Sequence, residues 1–153
     1  MVGPESERAA AVRRGSRLFV TATTVSVPFL TVVLRKGYGL GAQAMAGGDL
    51  SASAMICAWP TGEFGPMGFE GAVRLGYRKE LEAIADPVER DALFRKLVGH
   101  MYARGKAEQV AEVLEIDAVI DPADTRRWLV RALTACGSPA PRTGKKRPFV
   151  DVW

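Results

Sequence analysis

Apolar positions change period repeatedly along the chain, and each change marks an element. Ala11, Gly15, Leu18, Ala22 and Val25 recur at three- and four-residue steps, which predicts a helix opening near Glu5 or Ser6 with one buried face. Pro28 ends it, and residues 28–34, apolar and rich in β-branched side chains, predict a buried strand. Residues 54–59 predict a second strand closed by Pro60, residues 63–67 a short extended piece, and residues 68 or 69 to about 85 a helix. Asp86-Pro87-Val88-Glu89 places an N-cap acid, a proline at the first helical position and a glutamate three residues after the cap. The helix that follows is expected to bury Leu93, Leu97 and Met101 and to stop at Gly105. A shorter helix over 108–114 leads to an extended stretch over 115–120. Asp121-Pro122-Ala123-Asp124 then repeats the capping device ahead of a last helix with Leu129, Leu133 and Cys136 on one face. Strands alternating with helices predict an α/β layout. Only two or three strands are convincing, so the chain reads as the later part of something larger.

The stretch from Leu34 to Gly48 holds the candidate chemistry. Glycines at 37, 39 and 41 follow the first strand, and small residues then predict a short helix. A strand, a glycine turn and a helix start leave backbone N–H groups unpaired at the positive end of the helix dipole, which suits a negatively charged oxygen. A phosphate loop would require Gly-Lys-Ser/Thr, whereas Gly41 is followed by Ala42-Gln43. The register Gly37-x-Gly39-x-Gly41 also fails the dinucleotide fingerprint. An anion site and a plain tight turn with close helix–strand packing both remain open at this point.

Composition narrows the function classes. With 153 residues, 48% apolar and 25% charged, the chain suits one domain with a real core. Of the formal charge of +4, the last seventeen residues carry +3, leaving about +1 for the body. That argues against a nucleic-acid groove, which needs basic residues over a folded face. We therefore divide the chain into residues 1–136 and a basic extended tail, 137–153. Cys57 and Cys136 have no metal-ligand spacing and are expected to be small core residues, with no metal site. His100 is the single histidine and is expected to pack beside a helix stripe or to be partly exposed. The longest apolar stretch, residues 20–34, carries four threonines, a serine and a proline and falls short of the ~20 residues of a membrane span. No signal pattern opens the chain, so a cytoplasmic location is expected.

Four segments taken together resemble the carboxyltransferase subunit of biotin-dependent acetyl-/propionyl-CoA carboxylases. They are Val33-Leu34-Arg35-Lys36-Gly37-Tyr38-Gly39-Leu40-Gly41-Ala42; Ala58-Trp59-Pro60-Thr61-Gly62-Glu63 with Met67-Gly68-Phe69-Glu70-Gly71-Ala72-Val73; residues 115–126; and the short ending Lys145-Lys146-Arg147-Pro148. The resemblance runs over essentially the whole chain and covers the C-terminal part of that family's polypeptide. It implies a partial crotonase-like ββα superhelix with a helical C-terminal half. It also implies transfer of a carboxyl group from carboxybiotin to the α-carbon of a short acyl-CoA, with the released ureido nitrogen taking the α-proton. The protein's part would be to stabilise two oxyanions, the thioester enolate and the ureido oxygen of biotin. The glycine turn corresponds to the biotin-side hole.

Aligned without gaps, the family's Tyr-Gly-Gly-Ala becomes Tyr38-Gly39-Leu40-Gly41. The implied donors are the backbone amides of Leu40 and Gly41, framed by Gly39 and Ala42, with Gln43 lining the acyl end of the pocket. The leucine is a departure that keeps the donor only if its φ stays negative. The helix start at Gly68-Phe69-Glu70-Gly71 is expected to support the site structurally. The implied partners are a biotin carboxyl carrier protein or biotin carboxylase subunit, which would carry the biotin, an acyl-CoA, and the missing carboxyltransferase parts in a homo- or hetero-oligomer, with no nucleic acid and no membrane. Alone, the chain is expected to be inactive. Two alternatives are a non-catalytic fragment or assembly module of a carboxylase complex, and an independent crotonase-like enzyme holding a thioester enolate.

Overall fold

The computed structural model describes residues 3–144 and Phe149; the Lys145-Lys146-Arg147-Pro148 segment and residues 150–153 of the basic tail lie outside the described residues. The chain opens with two helices, α1 (Pro4–Arg8) and α2 (Ala11–Ala22), where the apolar spacing predicts one. The break is at Ala10, whose φ of 54° is left-handed and cannot continue a helix. The predicted buried face of α2 is not covered either: Leu18 is 52% exposed and Val25, beyond the helix, 39%.

Strand β1 (Leu30–Val33) lies within the predicted first strand, and β3 (Met55–Ala58) within the second. Between them the glycine stretch contains a strand of its own, β2 (Lys36–Tyr38), which leads into α3 (Gly39–Met45). The extended piece at 63–67 is β4 (Glu63–Gly65), and the stretch 115–120 reduces to β5 (Ala118–Val119). The strands form two parallel sheets, one in the order β1-β3-β5 and one pairing β2 with β4.

All four residues of β3 are buried, as expected of a parallel strand covered on both faces. Its side chains alternate between two layers. Ile56 and Ala58 pack with Phe64, Ala107, Val110 and Ile116 on one face, while Met55 and Cys57 pack with Ile120, Trp128, Leu129 and Ala132 on the other. Register places Val33 and Val119 beside Ala58 in the first layer, and Val32 and Ala118 beside Cys57 in the second. Asp117 ties β3 to the segment before β5: its carboxylate accepts from the Ile56 amide at 2.8 Å, and its own amide donates to the Ile56 carbonyl at 2.9 Å.

The helical half follows the caps. Asp86 accepts from the Val88 amide at 2.9 Å and starts α6 (Pro87–Arg104), which ends at Gly105 as predicted. Leu93, Leu97 and Met101 on α6 are half-buried, not buried, and His100 is exposed. The helix predicted over 68–85 is divided at Tyr77 (φ −109°, ψ 25°) into α4 (Phe69–Gly76) and α5 (Arg78–Glu82). After α7 (Ala107–Glu112), Asp121 accepts from the Ala123 amide at 2.8 Å ahead of a short turn and α8 (Thr125–Cys136). The inward face of α8 is Trp128, Leu129 and Ala132, one step round from the predicted stripe, so Leu133 is half exposed. Cys57 is buried as expected, but Cys136 is exposed and no core residue, because it falls in the last turn beyond the sheet.

Candidate functional site

The site begins with the pairing of β2 and β4, in which Lys36, Gly37 and Tyr38 face Glu63, Phe64 and Gly65. Gly37 is a strand residue with ordinary φ; its place is set by packing, since an added Cβ would meet Val33 Cγ1 at 3.3 Å and Phe64 Cδ1 at 3.4 Å. The turn itself is made by one glycine of the three. Gly39 has φ +54°, and a Cβ there would lie 2.4 Å from the carbonyl oxygen of Pro66, so neither the backbone nor the space admits a side chain. Gly41 lies inside α3 with φ negative.

Leu40 also keeps φ negative, so its side chain does not distort the helix start. The leucine stands 65% exposed. In the first turn of α3 the amides of Gly39, Leu40 and Gly41 have no carbonyl four residues earlier within the helix to receive them. Tyr38, at the N-cap, offers no side-chain acceptor. Among the described residues, no backbone carbonyl outside the helix and no capping side chain takes the amides at 40 and 41. At the other end of α3 the Ala46 amide bonds the Ala42 carbonyl at 2.9 Å and the Gly48 amide the Gln43 carbonyl at 2.8 Å, with Gly47 and Gly48 both at positive φ. Ala44 and Ala46 are buried, which lets the helix lie close to its neighbours.

An aromatic stack braces the turn from behind. The Phe69 ring, at the start of α4, meets Tyr38 edge-on at 5.3 Å and Tyr102 of α6 at 4.7 Å. Two glycines make room for it: a Cβ on Gly65 would come within 2.6 Å of Phe69 Cε1, and one on Gly105 within 2.3 Å of Phe69 Cζ. The Tyr38 hydroxyl donates to Glu63 at 2.6 Å and the Tyr102 hydroxyl to Glu70 at 3.0 Å. Burial, and then the bond to the Glu63 carboxylate, push the Tyr38 phenol well above its ordinary pKa. The Glu70 carboxyl is held below its usual range, first by a hydrogen bond from its own backbone amide and then by Tyr102. The Gly68–Gly71 segment therefore supports the turn through Phe69 and Glu70.

A cleft of about 520 Å³ opens beside the helix mouth. Gly39, Ala42 and Gln43 line it, so the structure brings together three of the five residues singled out in the sequence. Leu40 and Gly41 sit at the adjoining helix start and do not form its wall. The far side carries Arg104, Gln109 and Glu115, from the end of α6, α7 and the segment after it. No sequence signal pointed to these three, since they are surface-type residues brought in by the fold. Among the described residues no group of three or more His, Cys, Asp or Glu is placed to hold a metal ion, and no helix is long and apolar enough to cross a membrane.

The carboxyl transferase domain family matches residues 1–147. The methylmalonyl-CoA carboxyltransferase 12S subunit of Propionibacterium freudenreichii subsp. shermanii is 39% identical over 131 residues, covering 86% of this chain and 24% of its own. The propionyl-CoA carboxylase carboxyltransferase subunit of Haloferax mediterranei is 37% identical over 135 residues, covering 86% of this chain and 25% of its own. Among solved structures, the transcarboxylase 12S hexamer with methylmalonyl-coenzyme A and methylmalonic acid bound superposes with a TM-score of 0.82 at 30% identity, over 100% of this chain and 29% of that one. A single-chain, multi-domain long-chain acyl-CoA carboxylase is 52% identical with a TM-score of 0.73, over 86% of this chain and 13% of its own. The chain thus spans about a quarter of the length of the curated relatives it matches. Its two parallel sheets and helical second half are part of a crotonase-like fold, and the chain belongs to the carboxyl transferase domain family.

Proposed function

We propose that this chain contributes the biotin-side oxyanion hole of an acyl-CoA carboxyltransferase and works together with further carboxyltransferase polypeptide. The observation that carries the reading is the start of α3, where the amides of Leu40 and Gly41 have no acceptor among the described residues and lie beside a cleft of ligand size. Carboxybiotin, brought by a carrier protein or biotin carboxylase subunit, supplies the carboxyl group, and its ureido nitrogen supplies the acceptor for the α-proton of the acyl-CoA. The chain's own work is electrostatic. Gly39 turns the backbone so that successive N–H groups converge, Leu40 and Gly41 donate to the ureido oxygen as it gains charge, and the positive end of α3 stands behind them. Ala42 and Gln43 line the wall against which the ring and the acyl end lie. The division of the chain after residue 136, with the site in the portion before it, is supported by the end of α8 at Cys136 and the φ of +67° at Gly137.

A non-catalytic assembly module is the second reading, and it is favoured by one fact: the chain corresponds to only about a quarter of its relatives' length. One substitution pair separates the two. Gly41→Pro deletes a donor that no helical carbonyl uses, and Gly41→Ala keeps it. The chain is mixed with the 12S subunit of P. freudenreichii lacking its matching region, a carrier loaded with labelled carboxybiotin and propionyl-CoA, and transfer of the labelled carboxyl from carboxybiotin to propionyl-CoA is followed. The expected result is transfer with Gly41→Ala and a loss of ~10²–10³-fold in kcat with Gly41→Pro, the cost of one such donor. Equal transfer by both variants, or none by the folded parent in the reconstituted mixture, leaves the assembly module as the function.

A further inference from the structure

We propose that the Leu40 side chain is a specificity-determining contact, packing against the apolar flank of the biotin bicycle while the amides behind it receive the ureido oxygen. The inference rests on the reading that the start of α3 is the biotin-side hole, and it adds the part of the ligand that a backbone donor cannot read. A main-chain N–H distinguishes poorly among ureas, amides and carboxylates, since each can accept from it. Selection has to come from a side chain beside the donors. From Gly39 to Ala42, Leu40 is the one side chain larger than a methyl group. It stands 65% exposed and belongs to neither core cluster of the described residues. The close packing of α3 is made by Ala44 and Ala46, both buried, so the fold does not call for the leucine. A single exposed leucine needs no explanation on most surfaces. The position of this one gives it a use.

Helix geometry gives the direction of that side chain. Cα–Cβ bonds tilt toward the N-terminus of a helix, and helical leucines take rotamers that lean back over the preceding turn. Leu40 lies in the first turn of α3 with φ negative. Its isobutyl group therefore leans past the helix end, over the space into which the amides at 40 and 41 open. Gln43, three residues on, shares that side of the helix and lines the cleft, which puts Leu40 at its lip. Inside, Leu50, Phe64, Val110 and Val113 make much of the lining apolar. An acceptor that reaches the amides thus lies with one flank along Leu40 and the other toward an apolar wall. A carboxylate or a simple urea has no flank to match. Biotin has one, because its ureido ring is fused to a thioether ring that carries an aliphatic stem. Covering the leucine removes apolar surface from water, and it keeps water off the ureido oxygen, which strengthens the bonds from the amides.

The test is a ligand-observed nuclear magnetic resonance titration with two probes that present the same ureido oxygen. One is biotinamide; the other is ethyleneurea, the cyclic urea without the second ring and the stem. Leucine and amides both belong to this chain, so the titration is run on the chain by itself and again with the P. freudenreichii 12S subunit lacking its matching region. The parent is expected to bind biotinamide more tightly than ethyleneurea. Leu40→Gly keeps the amide and removes the side chain. It is expected to weaken biotinamide about tenfold, equivalent to ~1.4 kcal/mol and within what covering a leucine supplies, and to leave ethyleneurea unchanged. Leu40→Met keeps apolar bulk and is expected to bind biotinamide like the parent. Circular dichroism and slow labelling of the buried Cys57 check that each variant is folded. The proposal is overturned if Leu40→Gly weakens both probes alike, which would make the leucine a support for the helix start. It is overturned equally if Leu40→Gly weakens neither, or if Leu40→Met binds as poorly as Leu40→Gly. Loss of the Leu40→Gly effect once the complement is added also overturns it, since protein and not ligand would then cover the leucine. A parent that binds neither probe overturns it together with the hole itself. Gly41→Pro separates the two claims, because it is expected to weaken both probes. If it weakens neither while Leu40→Gly still lowers biotinamide alone, the amide reading fails and the leucine contact stands. If it weakens both while Leu40→Gly changes nothing, the leucine contact fails and the amides stand.

Discussion

Replacing Gly39 by alanine tests the turn that aims the helix mouth. The substitution meets two obstacles at once. A non-glycine residue at φ +54° costs about 1–2 kcal/mol in backbone strain. The new Cβ, 2.4 Å from the Pro66 carbonyl oxygen, also forces the turn away from rigid backbone, an overpacking cost of about 1–3 kcal/mol. Together they give a loss of about 2–5 kcal/mol, a large part of the ~5–15 kcal/mol that keeps a domain folded. In urea, with a slope of about 2 kcal/mol/M, the unfolding midpoint falls by roughly 1–2.5 M. Gly99→Ala is the counterpart: it sits inside α6 with nothing within 4 Å of the added Cβ. It gains about 0.8–1.0 kcal/mol from helix propensity, so its midpoint rises. Denaturation followed by circular dichroism reads both. A Gly39→Ala midpoint unchanged from the parent, or raised like that of Gly99→Ala, would refute the left-handed turn and the close approach of Pro66.

Two further outcomes follow from the burial of particular groups. A thiol reagent added to the native chain is expected to modify one cysteine, Cys136, because Cys57 is fully buried and burial, with the nearby Asp117 charge, raises its thiol pKa; two rapidly reacting thiols before unfolding would contradict the packing around β3. The Tyr38 phenol is held protonated in the folded chain, while in the unfolded chain it titrates near pH ~10. Its contribution to stability is therefore complete below about pH 10 and is lost as pH rises toward the folded value, since the unfolded chain gives up that proton first. Tyr38→Phe is expected to flatten this alkaline decline in chemical denaturation, and an unchanged slope would show that the Glu63 bond and burial do not set it.

Much of the fold was legible because local chemistry and tertiary structure agree. The aspartate caps with their following prolines located the starts of α6 and of the turn before α8, since capping depends on neighbours two residues away. The apolar runs located β1 and β3 for a similar reason: a strand buried on both faces must be apolar throughout. The errors arose where distant contacts decide. Nothing in the spacing foretold that Ala10 would turn left-handed, and the stripe on α8 was misplaced because Trp128 and Ala132, not Leu133 and Cys136, face the sheet. Three glycines in alternation looked equivalent in sequence. In the fold one is a strand residue under Phe64, one makes the turn against Pro66 and one is helical, a distinction set by residues more than twenty positions away. Of the cleft, Gly39, Ala42 and Gln43 were legible through the glycine motif, whereas Arg104, Gln109 and Glu115 arrive from α6 onward.

The central claim concerns two backbone amides, and nuclear magnetic resonance reads them directly. With the chain labelled at backbone nitrogen and reconstituted with its carboxyltransferase complement, biotin is titrated in and the amide signals of Leu40 and Gly41 are followed against that of Gly99. The account predicts downfield proton shifts at Leu40 and Gly41 as the ureido oxygen accepts from them, with Gly99 unmoved. Binding of biotin that shifts other amides and leaves those two unchanged would contradict it.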